Sequence, residues 1–294
     1  MELKYGRNKM QFSINPKRVS RILMPEEKPG IDNPVEYIEN KLKNPTAVPD
    51  IKKLIQKNNP ERVVIIVNDV SRPTPYQYML PPLMKNLEEA EINKEQITFI
   101  IATGIHEPNS HSQNQEIFGK DMVEQYEFIS HNPDANLVKI GQLSSGNNLY
   151  INQKVAEADF IITTGVILPH YFAGFSGGRK SILPGVAGRE TIEFNHSRMV
   201  ELLGSLPPVN ENFLSLEMIE AAEKVGVDFI LNVVTNSKKE IVEVVAGDVK
   251  KAWYQGIKSS GSMYQVNLEE KKEVAIVSAG GYPRDINLYQ AQKA

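Results

Sequence analysis

Residues 62–75 read RVVIIVNDVSRPTP. A short β-branched apolar run that passes at once into Asn68, Asp69, Ser71, Arg72 and two prolines has the form of a buried strand emptying into a stiff polar loop. The same form recurs along the chain, at 96–102 (QITFIIA), 159–164 (DFIITT), 228–235 (DFILNVVT) and 273–278 (EVAIVS). Helical patterns lie between these runs. Asn33-Pro34 is an N-cap followed by proline at the first helical position. Asp50 opens a second helix with Ile51, Leu54 and Ile55 on one face, and others span 76–91, 189–203, 211–225 and 249–264.

Alternating strands and helices predict an α/β fold: a layered, largely parallel, Rossmann-like sheet with helices on both faces. In such sheets chemistry gathers beyond the carboxyl ends of the strands. The last run follows the charged stretch 269–272, and its helix reaches only residue 294. The chain is therefore expected to hold one whole domain, 1–268, followed by the start of a second α/β domain, 269–294. That segment is expected to pack poorly.

The composition narrows the function. Basic and acidic side chains number 33 and 36, a net charge of -3, so no polyanionic partner such as nucleic acid is expected. Hydrophobic residues are 41% of the chain, without the roughly 18-residue apolar run of a membrane helix. The N-terminus MELKYGRNKMQFSI is broken by charges and reads as no targeting signal, so a cytoplasmic address is expected. There is no cysteine, which excludes disulfides, thiolate metal sites and cysteine nucleophiles.

The loops after the strands hold the unusual residues. His106 and His170 each follow a buried strand, and a parallel sheet would bring both to one edge, where two imidazoles could move protons at neutral pH. A solvated or backbone-bonded role is the alternative for each. His111, at a polar helix start, and His131, in HNPD, read as structural or exposed. Gly174 to Ser181 (GFSGGRKS) looks like a phosphate loop but lacks the glycine a Walker loop needs before its lysine. Ser176, Gly177 and Gly178 could offer backbone N–H groups to one phosphate, with Arg179 and Lys180 as counter-charges, or could simply form a tight turn. Lys180 could also be a covalent attachment point, since a desolvated amine is nucleophilic. Asp69 and Arg72 could form a carboxylate clamp, or an ion pair organising the turn.

With DVSRPTP at 69–75, ATGIHEPN at 102–109, PHYFAGFSGGRKSILPG at 169–185 and FNH at 194–196, the chain resembles the nickel-dependent lactate racemase family over most of its length. The third block is long and unusual enough to be highly specific. The resemblance implies two α/β domains with the active site between them. It also implies nickel held by a pyridinium bis-thiocarboxylic acid mononucleotide, linked covalently to Lys180 and supplied by cofactor-maturation enzymes. His196 would complete the nickel coordination, and His106 and His170 would be the acid/base pair. Asp69, Arg72, Gln290 and Lys293 would serve the substrate, a small 2-hydroxy acid racemised or epimerised by hydride transfer to and from the pyridinium. A chain without cysteine agrees with this, because soft sulfur ligands must then come from the cofactor. Family members continue past residue 294, so low activity is expected of this chain. Two competing readings are a metal hydrolase using His106, His111, His170 and His196, and a non-catalytic mononucleotide-binding or carrier domain.

Overall fold

The run at 62–67 folds as β1, Val63–Asn68, inside a six-stranded sheet. The others are β2 (Ile97–Ala102), β3 (Glu127–Ser130), β4 (Phe160–Val166), β5 (Phe229–Thr235) and β6 (Ile241–Gly247). The order is β6-β5-β4-β1-β2-β3, with only β6 antiparallel to its neighbour. Chain order runs outward from β1 to β3 on one side and then restarts at β4 on the other. The crevice between β1 and β4 is therefore the switch point where such sheets place their ligands. This computed structural model describes residues 1–202, 206–268, 270–282, 285 and 287–291, the side chains of 289 and 290 excepted.

Helices α1 (Pro34–Lys43), α2 (Ile51–Asn58) and α3 (Tyr76–Glu89) precede α4 (His111–Phe118), α5 (Lys120–Gln125) and α6 (Gln153–Ala156). Then follow α7 (Arg189–Ser197), α8 (Phe213–Val225) and α9 (Lys251–Tyr264). The caps read from sequence are present: Asn33 accepts from the Glu36 N–H, and Asp50 from those of Lys52 and Lys53. Each such cap stabilises its helix by about 1 kcal/mol. Val63, Ile65 and Val67 pack with Phe99 and Ile101 against Ile38, Leu42, Ile55, Leu83 and Leu87 of α1 to α3. The alternate residues Val64, Ile66 and Ile100 are equally buried on the other face. Burial of both faces explains why these strands read as continuous apolar runs.

Residues 27–263 form one compact unit; residues 1–26 and 264–294 form a second. In the second, Glu2–Tyr5 pairs antiparallel with Asn8–Gln11, Tyr282 N–H donates to the Gly6 carbonyl and Ser278 Oγ to that of Lys4. The strand expected over 273–278 is not formed. Val274, Ile276 and Val277 are 76%, 56% and 62% exposed. An apolar run becomes a strand only where a sheet edge offers a hydrogen-bonding partner.

Candidate active site

The polar loop after β1 is fixed at its root by a buried tyrosine. Tyr76 Oη accepts from the Asn68 N–H at 2.6 Å and meets Thr164 Oγ1 at 3.1 Å, while Thr164 donates to the Ile66 carbonyl. Burial pushes the Tyr76 phenol up to about 12. Above this root, Asp69 is 3% exposed. Its Oδ2 lies 2.7 Å from His106 Nδ1, and its Oδ1 accepts from Ser71 Oγ at 2.7 Å and from the Ser71 N–H at 3.1 Å. Burial alone would raise the Asp69 pKa. The bonds from His106 and Ser71, with the charges of His106 and Arg72, outweigh it and hold the carboxyl below its ordinary value. The Asp69 carboxylate thus takes His106 and Ser71, whereas the Arg72 guanidinium reaches Ser71 Oγ at 3.2 Å.

The loop after β4 doubles back on itself. Ser176 Oγ donates to the Val166 carbonyl and accepts from the Leu168 N–H, and Pro169–His170 pairs with Gly174–Phe175. Gly177 and Gly178, at φ +75° and +52°, lie where no side chain fits: a Cβ on Gly177 would be 2.7 Å from Ile167 Cγ1. Two of the N–H groups expected to face a phosphate are used inside the protein, Ser176 toward the Leu168 carbonyl and Gly178 toward Asn232 Oδ1. Arg179 is likewise no counter-charge. Fully buried, it donates to the carbonyls of Ala173, Phe175 and Gly177 and to Ser215 Oγ, with its Cζ 3.5 Å from the centre of the Trp253 ring. Burial holds its pKa well below the ordinary value. This guanidinium closes the loop from within.

Lys180, the next residue, is half-buried. Its Nζ lies 2.8 Å from His170 Nε2 and 5.3 Å from the centre of the Phe172 ring. The His196 ring meets Phe172 edge to face at 4.9 Å, and His170 meets it at 4.6 Å. Phe172 is therefore shared by Lys180, His170 and His196. Burial, then the charges of Lys180, Arg72, Arg179 and His196, holds the His170 pKa well below its ordinary value. His196 is pushed down to about 4, mainly by burial and then by the Lys180 charge, against the opposing Ile192 carbonyl. Both imidazoles are neutral at neutral pH.

The remaining histidines stand apart. His131 is 1% exposed; its Nε2–H donates to the Ala187 carbonyl and its Nδ1 accepts from Asn152. His111 opens α4, exposed, after the Ser110 cap. Among the described residues no three of His, Asp and Glu come together as a metal-holding group, so the four-histidine hydrolase site is not assembled. The Gln290 side chain and Lys293 lie outside the described residues. Sequence reasoning passed over Ser71 and Phe172. Both stand inside the loop motifs it quoted, and the signal was their position between two singled-out residues.

The chain is an α/β protein whose polar cluster sits at the carboxyl edge of the sheet, in the loops that follow β1, β2 and β4. It belongs to the lactate racemase family: residues 5–203 match the lactate racemase N-terminal domain. The lactate racemase of Thermoanaerobacterium thermosaccharolyticum is 36% identical over 299 residues, covering 100% of this chain and 69% of the relative. That of Lactiplantibacillus plantarum is 37% identical over 268 residues, covering 88% and 61%. The chain thus spans roughly two thirds of these relatives' length. The solved lactate racemase apoprotein from T. thermosaccharolyticum superposes with a TM-score of 0.90 at 35% identity, over 99% of this chain and 68% of that one. A protein from Thermotoga maritima shares the fold, with a TM-score of 0.63 at 20% identity over 79% of this chain. Among the described residues no helix is long and apolar enough to cross a membrane.

Proposed function

We propose that this chain carries the acid/base and cofactor-holding residues of a 2-hydroxy-acid racemase or epimerase of the lactate type. The observation that carries the reading is that His106 and His170, at one edge of the sheet, each have a ring nitrogen held by an ionisable partner, Asp69 for one and Lys180 for the other. The Nδ1–H of His106 donates to Asp69, which leaves the Nε2 lone pair free to take a hydroxyl proton. His170 turns Nε2 to the Lys180 amine at 2.8 Å and Nδ1 to the Ala173 N–H at 3.3 Å, so its proton state follows that of Lys180. Either imidazole, in its neutral form, can take the hydroxyl proton of a 2-hydroxy acid at a ring nitrogen and return it as the imidazolium so formed. Arg72, whose charge reaches both Asp69 and His170, is placed to bind the substrate carboxylate.

The residues fit the family's cofactor. Lys180 and His196 share the Phe172 ring, His196 is neutral as a metal ligand must be, and the chain has no thiol of its own. Lys180 would hold the pyridinium mononucleotide and His196 would ligate nickel. When bound, that group supplies the acceptor for the α-hydrogen that no side chain provides. Maturation enzymes would have to deliver it. Gln290 and Lys293 remain proposed substrate contacts.

The test is intact mass and nickel content after co-expression with such maturation enzymes. The parent should carry one adduct and nickel, and Lys180→Ala no adduct. An undiminished adduct on Lys180→Ala, or none on the parent, overturns the attachment. A parent that carries the adduct yet leaves every 2-hydroxy acid unracemised would favour the carrier reading.

A further inference from the structure

The helix that carries His196 is fastened on a neighbouring face by a buried polar network. Thr191 and Asn195, four residues apart and both fully buried, share that face. Asn147 Nδ2 donates to the Thr191 carbonyl at 3.0 Å, and Thr191 Oγ1 donates to the Asn148 carbonyl at 2.6 Å. Asn195 Nδ2 donates to Glu217 Oε2 at 2.7 Å. The other oxygen of Glu217, a residue 4% exposed on α8, accepts from Ser145 Oγ at 2.7 Å and Asn147 Nδ2 at 2.9 Å. One carboxylate therefore ties together α7, α8 and the turn at 145–147. Among the described residues Asn147 Oδ1 and Asn195 Oδ1 have no hydrogen-bond partner, so it is through their donated bonds that the two amides hold α7 to Glu217.

We propose that the Glu217–Asn195 hydrogen bond is a positioning contact for His196, holding the last turn of α7 so that the imidazole stays against Phe172. The inference rests on the reading of His196 as the nickel ligand. Asn195 precedes His196 by one residue, so a small rotation or slide of this turn carries the imidazole with it. Groups that orient a ligating histidine change metal retention by about 10- to 100-fold when removed.

The experiment uses matured, nickel-loaded protein. Asn195→Ala should keep the Lys180 adduct, as read by mass, yet lose nickel to a chelator at least about tenfold faster. Asn195→Asp sets a carboxylate against Glu217 and should do the same. Glu217→Gln should lose nickel more slowly than Asn195→Ala, because its amide oxygen can still accept from Asn195, although its NH2 group then faces Asn147 Nδ2. In cofactor-free protein, Asn195→Ala should also move the His196 ring protons, which are shifted by the Phe172 ring 4.9 Å away. Parent rates and unmoved resonances in folded Asn195→Ala and Asn195→Asp would overturn the inference. His196→Ala separates the two readings: if it keeps nickel at the parent rate, the ligand assignment fails, whatever Asn195 does to the ring.

Discussion

The amine of Lys180 stands 2.8 Å from Nε2 of His170, while Nδ1 of the same ring lies 3.3 Å from the Ala173 nitrogen. A neutral imidazole has one accepting nitrogen, so an Nε2 that takes the Lys180 ammonium leaves the ring proton on Nδ1 and weakens the Ala173 contact. The protonation of the two groups is coupled.

Burial first, and the Lys180 charge next, hold His170 down. Lys180→Ala should therefore raise the His170 titration midpoint toward the ordinary histidine value, measured by NMR across pH 4–8. An unchanged midpoint would mean that the contact is not made in solution.

The bond from His106 Nδ1 to Asp69 sets which nitrogen faces outward. Asp69→Asn can offer its NH2 group instead and favour the wrong tautomer, so turnover of loaded enzyme should fall by about a hundredfold or more. Steady-state rates on lactate check this, and the circular dichroism spectrum should stay parental.

His131 supports the fold through its proton state. Burial, partly offset by the Ala187 bond and the Asp134 charge, holds its pKa below the ordinary value. The unfolded chain therefore takes up the proton first as pH falls through about 6.5, and stability present above that pH is lost below it. His170 and His196 act with the same sign. Urea midpoints should drop between pH 7.5 and 5.5, and His131→Gln should flatten the drop.

Arg179 should matter to stability more than to ligand charge. Its removal strands the carbonyls of Ala173, Phe175 and Gly177 and empties the space against Trp253. Arg179→Ala should cost about 3 kcal/mol or more in urea unfolding. Arg179→Lys should recover little, since an ammonium cannot span the same fork of acceptors.

Much of this was legible from residue order alone. Central strands buried on both faces must be apolar throughout, so β1, β2, β4 and β5 show themselves, and Asn33-Pro34 and Asp50 announce their helices through local capping chemistry. The loop motifs likewise mark Asp69, His106, His170 and Lys180, because polar residues crowded after apolar strands have few other reasons to be there, whereas His196, on a helix, was marked only by the family resemblance. Strand β3 (EFIS) and strand β6 carry charged or half-exposed positions at the sheet edges, and without the buried-face pattern they pass unseen.

What only tertiary structure decided is which polar groups meet. Arg179 and Lys180 are neighbours of similar charge, yet one is spent inward on four acceptors while the other faces His170. Asp69 bonds His106, which lies 37 residues away, and Glu217 bonds Asn195, which lies 22 away. Local sequence sets backbone propensity and periodicity. Pairings across loops depend on where the sheet brings chain segments together, which residue order alone does not state.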